Sequence, residues 1–419
     1  MDHLLECTTC GQRYQSSGCE PGMRSYCEKC GQLLEASNRG EIWKTLFLSI
    51  ACLVLLVPAN IYPILRFSFQ GQWSEGEIVT GSILLYLQHS PIVAAAVFFT
   101  SVIAPFALHL MVTSACILLL GGWFPRMARK LWRLLFEFQE WGMIDVYLLA
   151  LGVGAIKLLS MGSVEPRIGL WMMILFVLTS GLCLGGLSPC AIWGEFRRRS
   201  DERREARLEH HAISCHHCGN VQLPADEDPE CDICESPLHD HDIDDRRVWA
   251  YLWGAVALYV PANLLPVMTM TLLGHTGDYT VMGGILYLWD EQSYVPAVIV
   301  FLGSIIVPCI KIGSLFYLLN AYKWHRHQRE QTRLFLIVKT LGRWSMVDIF
   351  VLAVLVALGQ MGTVATIEPR LGAVAFCGVV ILTMFSANNF QARWIWSEPD
   401  ALPTPPSPTP YAPGTQATN

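Results

Sequence analysis

The chain has 419 residues, 53% of them hydrophobic and 15% charged, against roughly 25% charged in soluble domains. Apolar runs at 46–65, 92–120, 169–187 and 296–319 reach the roughly 20 residues that cross a bilayer, which excludes a soluble enzyme tethered at one end. A net charge of −6 offers no basic surface for nucleic acid, and it makes the placement of Lys and Arg more telling than their sum.

Residues 1–40 are polar and show no cleavable signal peptide. They carry Cys7, Cys10, Cys27 and Cys30 as two Cys-x-x-Cys pairs, and residues 213–240 repeat the pattern with Cys215, Cys218, Cys231 and Cys234. Each pair makes a tight knuckle presenting two sulfurs, and two knuckles complete a tetrahedron of thiolates at zinc-ribbon spacing. The expectation is one structural Zn²⁺ in each set, two per chain; ligand softness also admits a rubredoxin-like iron. Four sulfurs close such a site and leave no position for catalysis. Glu235 departs from the glycines that follow the other distal cysteines at Gly11, Gly31 and Gly219, which should loosen that knuckle slightly.

After each ribbon the spacing predicts four spans, at 44–65, 92–120, 143–161 and 169–190, then at 248–270, 295–319, 346–362 and 371–390. The fold class is a polytopic α-helical membrane protein of eight spans, built from a duplicated unit of cytosolic zinc ribbon plus four transmembrane helices. Pro58-Ala59-Asn60-Ile61-Tyr62-Pro63 returns as Pro261-Ala262-Asn263-Leu264-Leu265-Pro266. Trp141-Gly142-Met143-Ile144-Asp145 returns as Trp344-Ser345-Met346-Val347-Asp348, and Glu165-Pro166-Arg167 as Glu368-Pro369-Arg370. Among the segments that face outward by this count, the basic residues are Arg66, Arg167 and Arg370, so the positive-inside bias places both termini and both ribbons in the cytosol. The outward segments 66–90 and 271–294 alternate apolar and polar residues as they begin, as short periplasmic β-hairpins would. The expected domains are a ribbon at 1–40, four spans at 41–195, a charged linker at 196–212, a second ribbon at 213–240, four spans at 241–396, and a disordered Pro-rich tail at 397–419.

Ionisable groups inside spans are costly, which marks Asp145, Lys157, Lys311 and Asp348. Helical rise puts Lys311, Asp348 and Thr383 at one depth in the inner part of the bilayer, and Ser345 shares the helix face of Asp348. Two readings stand side by side: a polar clamp between helices, or a site whose protonation changes during transport. The first half lacks part of this set, with Leu108 opposite Lys311 and Gly142 opposite Ser345, so one half is expected to work and the other to support. Lys157, twelve residues from Asp145, is expected to snorkel outward. Pro58, Asn60, Pro63, Pro261, Asn263 and Pro266 interrupt the outer ends of spans one and five; they read either as a packed kink or as the lining of a substrate cavity. Glu165-Pro166-Arg167 and Glu368-Pro369-Arg370 read as outer turns flanked by ion pairs, and the arginine-rich stretch 197–207 as a solvated linker near anionic headgroups.

The doubled ribbon-plus-four-span unit, with Pro-Ala-Asn-x-x-Pro and Trp-x-Met-x-Asp in both halves, resembles the paraquat-inducible protein A family from Cys7 to about Trp396. The resemblance implies an inner-membrane protein of diderm bacteria, partnered by a periplasmic tunnel protein of mammalian-cell-entry (MCE) domains and handling phospholipid. It also implies functional roles for Asp145, Lys157, Lys311, Ser345, Asp348 and Thr383. No Walker-type loop is present, and no enzyme activity is expected. The competing functions are a non-transporting anchor for the tunnel protein and a thiol-based stress sensor.

Overall fold

The computed structural model describes residues 3–16, 24–36, 41–122, 125–159, 162–187, 192–193, 196, 213–215, 217–222, 230–238, 245–272, 275–290, 292, 294–322, 327–360 and 365–396. The arginine-rich stretch 197–207 and the tail 397–419 lie outside the described residues.

Ribbon 1 consists of two hairpins, β1 (His3–Glu6) with β2 (Arg13–Ser16) and β3 (Arg24–Tyr26) with β4 (Leu33–Ala36), each closed by one Cys-x-x-Cys turn. Among the described residues, ribbon 2 shows a short hairpin, β8 (Ile213–Ser214) with β9 (Val221–Gln222), and an antiparallel bridge between Glu230 and Pro237 around the second knuckle.

The first repeat runs through α1 (Glu41–Ile61), β5 (Leu65–Phe69), β6 (Gln72–Gly76) and α2 (Ile78–Leu87). It continues through α3 (Pro91–Phe98), α4 (Ala104–Gly121), α5 (Pro125–Phe138), α6 (Ile144–Leu159), β7 (Ser163–Pro166) and α7 (Ile168–Gly185). The second repeat has the same order: α8 (Arg246–Leu264), β10 (Met268–Leu272), β11 (His275–Tyr279), α9 (Val281–Asp290), α10 (Tyr294–Phe301) and α11 (Val307–Ala321). It ends with α12 (Gln328–Trp344), α13 (Val347–Leu358), β12 (Ala365–Pro369) and α14 (Leu371–Asn389).

Among the described residues, five stretches are long and apolar enough to cross a membrane: Ile42–Ile61, Pro91–Gly121, Ile168–Gly185, Ala297–Ala321 and Leu371–Asn389. The expected span 248–270 is not among them, since α8 has 19 residues but is not apolar enough; the third helices fall short in length. With 16 residues in α6 and 12 in α13, their lengths are about 24 and 18 Å at 1.5 Å per residue, against a hydrocarbon core of about 30 Å. Helix α13 compensates by position: apart from Asp348, every residue in it is buried. It packs against α6, its counterpart in the first repeat, with Tyr147 and Phe350 edge-to-face at 5.4 Å. This contact lies at the centre of the core shared by the two repeats.

The outward segments correct their expected character in one respect. The hairpins form, β5 with β6 and β10 with β11, and each gains a third strand, β7 or β12, from the Glu-Pro-Arg segment. Each hairpin then leads into an apolar helix, α2 or α9, rather than a loop. Gly81 of α2 lies so close to α13 that a Cβ there would meet the Ala353 carbonyl oxygen at 2.9 Å. The mixed composition of 66–90 and 271–294 merges a polar hairpin with an apolar helix, and this masks both periods.

Both long spans carry a π-helical turn, at Phe99–Ile103 and Leu302–Ile306. Each turn lies just before a proline, Pro105 or Pro308. Without an amide proton these prolines leave the carbonyl four residues back unpaired in an α ladder, and a wider turn accommodates the gap.

Candidate metal centres and a buried polar cluster

Four sulfurs gather in each ribbon, all ligand atoms of a set lying within 4.8 Å of one another. The shortest approaches are Cys10 to Cys27 at 3.4 Å and Cys7 to Cys30 at 3.6 Å, then Cys215 to Cys234 at 3.4 Å and Cys218 to Cys231 at 3.5 Å. A tetrahedral ion with sulfur at about 2.3 Å places its ligands about 3.8 Å apart, so both sets fit a metal after slight expansion. Sharing protons also creates thiolates: hydrogen bonding from Cys10 holds Cys7 down to about 7, and contact with Cys218 holds Cys215 well below the ordinary thiol range.

The knuckle turns close through Gly11 N–H to Cys7 O, Gly31 to Cys27 and Gly219 to Cys215, with φ of +71°, +77° and +70° at the glycines. Glu235 makes the same bond to Cys231 with φ +55°. A left-handed turn costs a non-glycine residue roughly 1–2 kcal/mol, but Glu235 has a second role. Its carboxylate pairs with Arg129 of α5 at 3.3 Å, and its carbonyl accepts from Arg133 at 2.9 Å. The departure therefore ties ribbon 2 to a helix rather than merely loosening a knuckle.

The docking is crossed. Ribbon 2 sits on α5 of the first repeat, where Arg129 also donates to the Asp232 carbonyl at 3.0 Å. Ribbon 1 sits on the second repeat: Arg329 of α12 donates to the Lys29 carbonyl at 2.8 Å, and Lys29 lies over the Trp396 ring at 5.0 Å. Glu6, 3% exposed, takes Arg13 at 3.2 Å on one side and Arg393 on the other. The ribbons touch each other as well, through Glu6 N–H to the Gly219 carbonyl at 2.8 Å.

Within the helical body, Asp348 at the first turn of α13 faces the second π turn. Its Oδ1 borders Gly303, and the Ser304 hydroxyl is within hydrogen-bonding reach while donating to the Val300 carbonyl at 2.6 Å. Asp348 Oδ2 is buried with no hydrogen-bond donor among the described residues, as is Ser345 Oγ. Lys157 is half-buried near the end of α6, and Asp348 of the other repeat lies within its electrostatic range. Asp145, the first-repeat counterpart of Asp348, is exposed.

Lys311 is 1% exposed, with its ammonium against Gly342, where a Cβ would come within 3.1 Å of Nζ. Thr383 is buried and donates to the Val380 carbonyl at 2.9 Å. The register offset between repeats is 203 residues, the distance from Asp145 to Asp348. At this offset Ser180 corresponds to Thr383, and it bonds His109 Nε2 at 3.0 Å, next to the position that corresponds to Lys311. The first repeat thus holds a histidine–serine contact where the second holds lysine and threonine.

The proline motifs form joints. Asn60 Nδ2 donates to the Leu56 carbonyl at 2.8 Å and Asn263 Nδ2 to the Tyr259 carbonyl at 2.9 Å, each one turn back along its own helix. Pro58 and Pro261 lie within the helices, while Pro63 and Pro266 come after their ends. The Pro63 carbonyl accepts from Gly169 N–H and the Pro266 carbonyl from Gly372 N–H, both at 3.0 Å, so the two repeated motifs bind each other. Ser304, Lys339, Gly342 and the docking arginines escape sequence reasoning. The repeated Ser101-x-x-x-Pro105 and Ser304-x-x-x-Pro308 was an available signal for the π turns.

The fold and its sites define a class: a duplicated, mostly helical multi-pass membrane protein with a four-cysteine cluster, able to hold a metal, before the helices of each repeat. The family model described as "Paraquat-inducible protein A" matches residues 42–197 and again 246–400, and the chain belongs to that family. It is 30% identical over 406 residues to "Intermembrane transport protein PqiA" of Escherichia coli (strain K12), covering 94% of this chain and 95% of that protein. It is 28% identical to a "Probable intermembrane transport protein" of Haemophilus influenzae over 94% and 95%. It is 27% identical to "Lipophilic envelope-spanning tunnel protein A" of Escherichia coli (strain K12) over 93% and 90%. No solved structure matches the chain.

Proposed function

We propose that this protein is an inner-membrane lipid transporter that passes phospholipid between the inner membrane and a periplasmic tunnel of MCE domains, and that it catalyses no covalent reaction. The observation that carries this reading is Asp348, held at the first turn of the central helix against a π turn and within electrostatic reach of Lys157 from the other repeat. An ionisable carboxyl buried between the two helical repeats would couple their relative position to its protonation, which a passive anchor does not need. The names of the relatives, intermembrane transport and a lipophilic envelope-spanning tunnel, support lipid as cargo.

Zinc in both thiolate sets and eight spans belong to the same reading. Because the two ribbons touch, they lie on one face, which calls for an even number of crossings in the first repeat. Four per repeat satisfies this, with the short α13 buried among neighbouring helices, and the positive-inside bias then puts the termini in the cytosol. The test is transfer of labelled phospholipid from proteoliposomes to the reconstituted tunnel partner. Asp348→Asn, at parent abundance, should abolish transfer; unchanged transfer would leave the anchor reading in its place.

A further inference from the structure

A cavity of about 280 Å³ opens at the ribbon end of the helices and is bordered by both repeats. Helix α5 contributes Phe136 and the residue just beyond its end, Gln139, completes that side; α12 contributes Lys339, Thr340 and Gly342, α14 contributes Met384, Ala387 and Asn388, and Lys311 forms the inner wall. At the 203-residue offset, Phe136 corresponds to Lys339 and Gln139 to Gly342. The same two positions of the two repeats therefore face one space, and the repeats have diverged there. One side supplies an aromatic ring and an amide. The other supplies an ammonium and a glycine that leaves room for a second ammonium.

Among the described residues, the lining holds two lysines and no carboxylate. Lys311 is buried and Lys339 exposed, so one cation is fixed at the base and the other stands at the mouth. Thr340, Gln139 and Asn388 add neutral polar groups, while Phe136, Met384 and Ala387 supply an apolar flank. The volume falls just below the range of about 300–1,000 Å³ that encloses drug-sized ligands. It suits a phosphate ester with its first few carbons; acyl chains would have to remain outside.

We propose that this cleft binds the phosphodiester of a phospholipid headgroup from the ribbon-side leaflet, with Lys311 and Lys339 on the phosphate oxygens and Phe136 and Met384 against the glycerol end. Ammonium groups are point-charge phosphate binders, and an amphipathic helix such as α12 lies at the depth where headgroups occur. The proposal rests on the lipid-transport reading and adds to it the place and the charge chemistry of cargo capture.

The full chain in native-lipid nanodiscs, carrying a photo-crosslinking amino acid at Asn388, is the preparation to test. Irradiation should capture phospholipid, identified by mass spectrometry. Lys339→Gln, at an exposed site and compared at parent abundance, should reduce capture about tenfold, the scale of one charge-assisted contact. Lys311→Gln should do the same where its abundance matches the parent. Diacylglycerol of the same acyl composition should not be captured, and millimolar inorganic phosphate should not compete. Equal capture of diacylglycerol, or capture indifferent to Lys339→Gln and Lys311→Gln, would overturn the phosphate assignment. Efficient competition by inorganic phosphate without lipid capture would overturn the lipid source and leave a site for soluble phosphate. Transfer to the partner measured in parallel separates the two levels: transfer without capture at Asn388 refutes this cleft alone, and capture by a protein that never transfers lipid refutes the transport reading alone.

Discussion

Replacing Arg393 by Ala should release ribbon 1 from the second repeat. The Glu6 carboxylate is 3% exposed and is held between Arg13 and Arg393, whose side chain is 21% exposed. Removing one partner of a buried pair costs about 3–5 kcal/mol when the remaining charge has no other cation. Here Arg13 stays at 3.2 Å and Arg393 is partly solvated, so the expected loss is about 2–3 kcal/mol. That lowers the docked-to-undocked ratio by about 30- to 150-fold. Lys29→Ala provides the comparison within the same interface, because an exposed cation–π contact such as Lys29 over Trp396 contributes about 0.5–1 kcal/mol. Hydrogen exchange of β1 and β2 in nanodiscs would read both. Arg393→Ala should shorten their protection far more than Lys29→Ala, and Glu6→Gln in the Arg393→Ala background should restore part of it by removing the half-paired charge. Equal effects of Arg393→Ala and Lys29→Ala would refute the claim that a buried carboxylate anchors the ribbon.

Gly169→Ala and Gly372→Ala should lower stability by about 1–3 kcal/mol, since a Cβ at either would strike the backbone of the joint at Pro63 or Pro266. Gly152→Ala, with open space around it, should be neutral or stabilising by up to about 1 kcal/mol, and thermal denaturation in detergent ranks the three. Cys218→Ser should halve the metal content from about two ions per chain to one and reduce the amount of protein in the membrane, as read by elemental analysis and immunoblot. Acid should release the metal. A thiol lowered on folding contributes fully above its ordinary value of 9.0 and ceases to contribute as pH falls through its folded value, about 7 for Cys7. Bound metal moves that midpoint lower, so retention at pH 8 and loss toward about pH 5, monitored with a chromophoric chelator, is the expected course.

Much of this protein is written locally. Cys-x-x-Cys pairs fix their own turns, so the two thiolate sets are legible from spacing alone. The duplication is plain from repeated hexapeptides, and hydropathy locates the long spans because a bilayer imposes a length on any helix that crosses it. The glycines after three of the four knuckles were legible too, since a left-handed residue closes that turn. Other features depend on which surface meets which, and spacing along the chain cannot carry that. Lys157 and Asp348 belong to different repeats and influence each other only because α6 packs on α13. Each ribbon precedes one repeat and docks on the other through arginines that look, in sequence, like any charged cytosolic face. Glu235 reads as a flaw until Arg129 and Arg133 are beside it. The cleft between α5 and α12 has no sequence signature at all, because Phe136, Lys339 and Lys311 acquire a common purpose only when two diverged copies of one unit close around the same space.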